Sequence, residues 1–104
     1  MNARKYVHPE LEEIVLHRVF AALSDPLRLE MVRKLAREDC EIDSRELAPD
    51  LPKSTLTHHT KFLREAGLTW TRSQGRNCLI RLRRSDIEEL FPHLLANITS
   101  TDHP

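Results

Sequence analysis

The chain has 104 residues, 39% hydrophobic and 31% charged, enough for one compact domain over residues 1–104 and too few for two. No stretch approaches the roughly 18 consecutive apolar residues that span a bilayer, no apolar h-region follows Met1-Asn2-Ala3-Arg4-Lys5, and five aromatic side chains are few for a single-strand stacking platform. Formal net charge is zero, yet residues 53–84 set Lys53, Lys61, Arg64, Arg72, Arg76, Arg81, Arg83 and Arg84 against one acid, Glu65, between two acidic flanks. A block of that kind is the footprint expected for a polyanion such as nucleic acid, with a solvated basic face as the plain alternative.

Pro9 suits the first turn of a helix whose N-terminal dipole Glu10, Glu12 and Glu13 complement. Leu11, Ile14, Val15, Val19 and Leu23 recur at helical spacing, so a helix is expected over 9–23, with an extended arm as the alternative for its first turn. Ser24-Asp25-Pro26 is a capping signal followed by Pro at the first helical position. Leu27, Met31, Val32, Leu35 and Ala36 then predict a helix to about residue 37. Residues 38–42 read as polar loop. Asp43 or Ser44 caps a short helix carrying Leu47 and Ala48, with Glu46 placed for a capping box.

Pro49-Asp50-Leu51-Pro52 is a turn that no helix crosses. Residues 53–66 form the next helix, with Leu56, Phe62, Leu63 and Ala66 on one side and Gly67 at its end. A short helix, a tight turn and a longer helix make a helix-turn-helix. Residues 68–71 and 78–82 read as strands joined by the tip Ser73-Gln74-Gly75-Arg76-Asn77. The fold expected is therefore mainly α with a small β-hairpin, a winged helix-turn-helix. Ser85-Asp86 caps a last helical region in which Ile87, Leu90, Phe91, Leu94, Leu95 and Ile98 form an apolar stripe. Pro92 interrupts that stripe, so a kink or two short helices are expected, with a frayed tail after Thr99.

Three segments resemble the ArsR family of bacterial winged helix-turn-helix repressors. Leu23-Ser24-Asp25-Pro26-Leu27-Arg28-Leu29 is close to the family's L-x-D-P-x-R-L. Lys53-Ser54-Thr55-Leu56-Thr57-His58-His59 is similar to its recognition helix. Leu63-Arg64-Glu65-Ala66-Gly67-Leu68 leads to Gly75-Arg76 at the wing. Cys40 and Cys78 form no C-x-x-C pair and no disulfide framework, so a reducing cytoplasm is expected. The resemblance implies a homodimer, joined through first and last helices, whose recognition helices read a near-palindromic operator in double-stranded DNA. The stripe over 87–98 supports a dimer independently, since a small domain has few places to hide it; its own Leu11-Ile14-Arg18 face is the other place. The family's metal sites do not carry over. Asp43 and Arg45 stand where the thiolates of a C-x-C would be, and Asp86 and Glu88 begin a last-helix set that Thr99 and Asp102 do not complete. Thr60 replaces the Leu usual after the motif's His.

Ser54, Thr55, Thr57 and His58 fall at the start and outward face of the recognition helix, where they reach base edges or phosphates; Ser54 or Thr55 is alternatively a cap. Lys53, Lys61 and Arg64 suit phosphates, although Glu65 or Glu30 could pair with Arg64. His59 shares a face with Leu56, Phe62 and Leu63, which leaves a structural role and a DNA contact both open. Gln74 and Arg76 at the wing enter a minor groove or clamp the backbone. Arg81, Arg83 and Arg84 face either solvent or phosphates. Cys40 reads as a loop thiol and Cys78 as a small apolar residue. His17 and His93 in the dimer helices, with His8, His103 and Asp102, make either a cross-dimer metal site or, more plainly, unrelated surface groups. No nucleophile, base and orienter set and no Gly-rich phosphate loop is present, so no catalytic residue, resident metal or cofactor is expected. A protein-interaction module and a nonspecific architectural DNA binder are the rival functions.

Overall fold

Residues 5–100 are described by a computed structural model; Asp102 and His103 lie outside them. In chain order the elements are a 3-10 turn Leu11–Glu13, α1 Leu16–Leu23, α2 Pro26–Glu38, β1 Ile42–Asp43, α3 Ser44–Leu47, α4 Lys53–Glu65, β2 Thr69–Gln74, β3 Asn77–Leu82, α5 Arg84–Leu90 and α6 Leu94–Ser100. A three-stranded antiparallel sheet, ordered β1-β3-β2, packs with the helices around one apolar core.

The first helix starts seven residues later than its periodicity predicts. Ile14 and Val15 are extended, at ψ 120° and 146°. Tertiary contacts override helical spacing there. Ile14 is buried, with its side chain over Gly67, whose φ of +88° and open Cα leave no room for a Cβ: one added there would lie 2.5 Å from Ile14 Cγ1. Pro9 is held upstream, its carbonyl accepting from Arg83 Nη1 at 2.8 Å. The extended-arm alternative holds only in part, because Leu11–Glu13 form a 3-10 turn and the extended residues flank it.

α2 begins as its capping signal requires. The Asp25 carboxylate accepts the Leu27 N–H at 2.8 Å and the Arg28 N–H at 3.2 Å, with Pro26 in the first turn. Met31, Val32 and Leu35 bury its inner face, and complete burial of a Leu such as Leu35 stabilises the fold by about 1.5–3 kcal/mol. The following loop is not wholly irregular. Ile42 and Asp43 pair with Ile80 and Leu79, a strand too short to leave a period in the sequence.

Asp43 caps α3 by accepting the Arg45 N–H at 2.9 Å. α4 ends in a Schellman motif, with Gly67 N–H bonded to the Arg64 carbonyl and Leu68 N–H to that of Leu63, each at 3.0 Å. The strands run further than 68–71 and 78–82, because Gln74 pairs with Asn77 and leaves only Gly75-Arg76 as the turn. Gly75, at φ +61°, takes the first central position as a type II′ turn demands.

Arg83, not Ser85 or Asp86, stands at the N-cap of α5. The last helical region is two short helices, and α6 continues through Thr99 to Ser100; the rest of the tail expected to fray, residues 101–104, lies outside the described residues. Ile87 and Leu95 are buried, while Leu90, Phe91, Leu94 and Ile98 pack partly covered on the core. α6 lies on α2, tied by Arg33 Nε to the Ile98 carbonyl at 2.7 Å. Much of the stripe is thus satisfied within the chain. The exposed large apolar side chains sit elsewhere, at Leu16, Phe20 and Leu27 among others.

Candidate nucleic-acid interface

Leu56, His59, Thr60 and Leu63 turn inward from α4, which leaves Lys53, Ser54, Thr57, His58 and Lys61 exposed on the other side. A groove runs between this helix and the wing. Lys53, Thr57, Lys61 and Arg64 line it from α4, and Gly75 and Arg76 line it from the wing tip. The hairpin thus brings Arg76 to the same concavity as cations lying 12–23 positions earlier in the chain. Ser54 and His58 are exposed beside the groove, Thr55 is half-buried, and Gln74 is exposed at the end of β2. The His58 ring leans on Phe62, edge-on at 6.2 Å.

Arg28 is a residue of this architecture that composition and spacing miss. It is buried, donates from Nε to the Ala22 carbonyl at 2.9 Å and from Nη2 to that of Ala21 at 3.3 Å, and stacks 3.8 Å over the Phe62 ring. Its Nη1 lies 3.1 Å from His59 Nδ1. A guanidinium only donates, so Nδ1 must be unprotonated, and His59 is a neutral structural residue. The one signal for Arg28 in the sequence was its place in the Asp25-Pro26-Leu27-Arg28 segment.

Burial, with Arg28 nearby, holds the His59 imidazole below its ordinary value, partly offset by Asp25. His8 is lowered too, by burial and then by Arg64 and Arg83, and its Nε2 accepts the Thr71 N–H at 2.9 Å. Both groups therefore bind protons more weakly folded than unfolded. Their contribution to stability is complete above about pH 6.5 and is lost as pH falls through the folded values, by at most about 1.4 kcal/mol per pH unit each. Denaturant melts between about pH 7.5 and 5 should show that decline. His59→Gln, which keeps an acceptor and removes the titration, should flatten part of it.

No protein-family model matches the chain. It is 35% identical over 82 residues, 77% of its own length and 82% of the relative's, to the uncharacterized HTH-type transcriptional regulator YceK of Bacillus subtilis strain 168. Among solved structures it superposes on an ArsR family transcriptional regulator, RHA00566, with TM-score 0.64 and 25% identity, covering 78% of this chain and 89% of the other. The chain belongs to the ArsR family of winged helix-turn-helix transcriptional regulators. The transcriptional repressor BigR from Xylella fastidiosa is a further neighbour, with TM-score 0.57, 25% identity and 72% and 84% coverage.

In this ArsR-family regulator several cations of the basic block are used inside the fold. Arg83 is buried, paired with Asp86 at 2.9 Å and stacked 3.9 Å over Trp70. Strand alternation does not apply to it, because β3 ends at Leu82. Arg84 bonds Asp39 at 3.1 Å and the Ala36 carbonyl at 2.7 Å. Arg72 makes a two-pronged pair with Glu41, at 2.7 and 2.8 Å, which holds that carboxyl below its usual range. Of Arg81, on β3, and Arg83 and Arg84, which follow it, Arg81 alone is exposed. Arg64 meets neither Glu65 nor Glu30 but lies 4.8 Å over the Tyr6 ring.

Asp43 and Arg45, where relatives place thiolates, pair with each other at 3.3 Å, and Arg45 Nη2 reaches Asn77 Oδ1 at 2.8 Å. These two positions brace α3 against the wing. Cys40 is exposed; Cys78 is half-buried against the core and also lines the groove. Among the described residues no three His, Cys, Asp or Glu side chains cluster to hold a metal, and no helix is long and apolar enough to cross a membrane.

Proposed function

We propose that this regulator is a cytoplasmic, dimeric repressor in which the chain acts as one DNA-binding domain on a near-palindromic operator. The observation that carries the reading is the single groove on which the outer face of α4 and the wing tip converge, with Lys53, Lys61 and Arg76 exposed along it. A duplex laid there would meet phosphate-neutralising cations on both sides, with Thr57 in the groove and Ser54 and His58 beside it for base edges. Thr55, half-buried, and Gln74, on the wing, would take backbone contacts. That BigR is named a transcriptional repressor supports the direction of regulation.

Dimerisation is supported by α1. Leu16 and Phe20, one turn apart, are 45% and 52% exposed, and Leu27 at the start of α2 is 45% exposed. Exposed apolar side chains of that size on one helix face, as at Leu16 and Phe20, suit a two-fold contact. Phe20→Glu should convert the dimer to a monomer on light scattering.

Duplexes selected from a random pool should carry inverted half-sites about one helical turn apart. Lys53, Lys61 and Arg76 neutralise about six phosphates per dimer, which sets a log–log salt slope near −5 or steeper. A slope near zero would sink the reading. Equal displacement by random competitor DNA would favour an architectural binder, and no retardation of any duplex a protein-interaction module.

A further inference from the structure

Residues 5–9 do not belong to α1; they lie along the wing side of the molecule and reach the groove just described. His8 caps the free edge of the sheet at Thr71 and sets its ring edge-on to Trp70 at 5.1 Å, while the Pro9 carbonyl is taken by Arg83. Ahead of them, Tyr6 is half-buried between two elements of the interface. Its hydroxyl donates to Cys78 Sγ on β3 at 3.6 Å, and its ring lies beneath the Arg64 guanidinium of α4. Lys5, Tyr6 and Val7 line the same groove as Thr57, Lys61 and Arg76.

We propose that this arm is a third element of the DNA interface, in which Lys5 contacts a phosphate and Tyr6 is a positioning residue that orients Arg64 toward the duplex. The inference rests on the DNA-binding reading above. Two features favour a contacting arm over a passive one. Of its two exposed side chains at the groove, Lys5 and Val7, the first is a cation, the charge a phosphate backbone selects. Arg64, a long side chain that would otherwise lose rotamer freedom on binding, is already ordered by an aromatic face, so less entropy is lost when it meets a phosphate.

The test is a salt titration of duplex binding by the full chain, comparing wild type with Lys5→Ala, Tyr6→Phe, Tyr6→Ala, Arg64→Ala and the Tyr6→Ala/Arg64→Ala pair. Lys5→Ala should weaken selected and random duplexes alike and make the log–log slope shallower by about 2, two phosphates per dimer. Tyr6→Phe keeps the ring and should stay within about twofold of wild type, whereas Tyr6→Ala should lose about tenfold, the ordering cost of one long side chain in each protomer. Because Tyr6 acts through Arg64, the double variant should bind no more weakly than Arg64→Ala alone.

Unchanged affinity and slope in Lys5→Ala, or fully additive losses at Tyr6 and Arg64, would overturn the proposal. Tighter binding by the arm variants would also overturn it, since the arm would then be an obstruction. Lys5 is exposed, so its substitution leaves the fold intact. Failure of the wild type to bind any duplex would overturn both readings; wild-type binding with indifferent arm variants would overturn this one only.

Discussion

Replacing Lys53, Lys61 and Arg76 together by Ala should lower operator affinity at least about a thousandfold near physiological salt and make the log–log salt slope shallower by about 5. All three side chains are exposed on the groove, and a dimer would lose six of them. Their ties within the fold are slight. Lys61 stands 4.0 Å from Glu65, an exposed i,i+4 pair of the kind that contributes only a few tenths of a kcal/mol. The triple variant should therefore melt close to wild type, which separates loss of binding from loss of structure. Thr57→Ala with His58→Ala should behave differently, relaxing sequence preference while leaving the salt slope in place. Electrophoretic retardation at several salt concentrations measures both. An unchanged slope in the triple variant would place the DNA-binding surface elsewhere.

Arg28→Ala should destabilise the chain by about 3 kcal/mol, lowering Tm by at least about 12 °C. The buried guanidinium satisfies two carbonyls at the end of α1 and the His59 ring on α4, and covers the Phe62 face. Truncation leaves three acceptors without their donor and opens a void under the recognition helix. Lys at this position should recover little, because one ammonium cannot span the fork of donors and stack on Phe62 as well. Since Arg28 fixes α4 against the junction of α1 and α2, Arg28→Lys should also weaken operator binding without touching DNA. Thermal melts with a cost below about 1 kcal/mol would show that the cluster is not a structural support.

Where local chemistry decides, the amino-acid order alone was sufficient. Asp25-Pro26 starts α2, Gly67 closes α4, Pro92 splits the last helical region, and Gly75 turns the wing, each through a cap, a missing N–H or a positive φ that few neighbours can override. The exposed groove residues Lys53, Thr57, Lys61 and Arg76 were legible for the same reason, since a polar side of an amphipathic helix and a charged hairpin tip have nowhere to go but solvent. Contacts far apart in sequence leave no such trace. Periodicity carried the first helix across Ile14, but Gly67, Arg83 and Thr71 hold residues 8–14 off the helical path. β1 exists because β3 is beside it. Charge counting treated Arg72, Arg83 and Arg84 as equal to Arg76, although Glu41, Asp86 and Asp39 hold them within the fold. A guanidinium reads the same in a sequence whether it faces water or a carboxylate; which of the two it meets depends on chain folding that brings distant residues together.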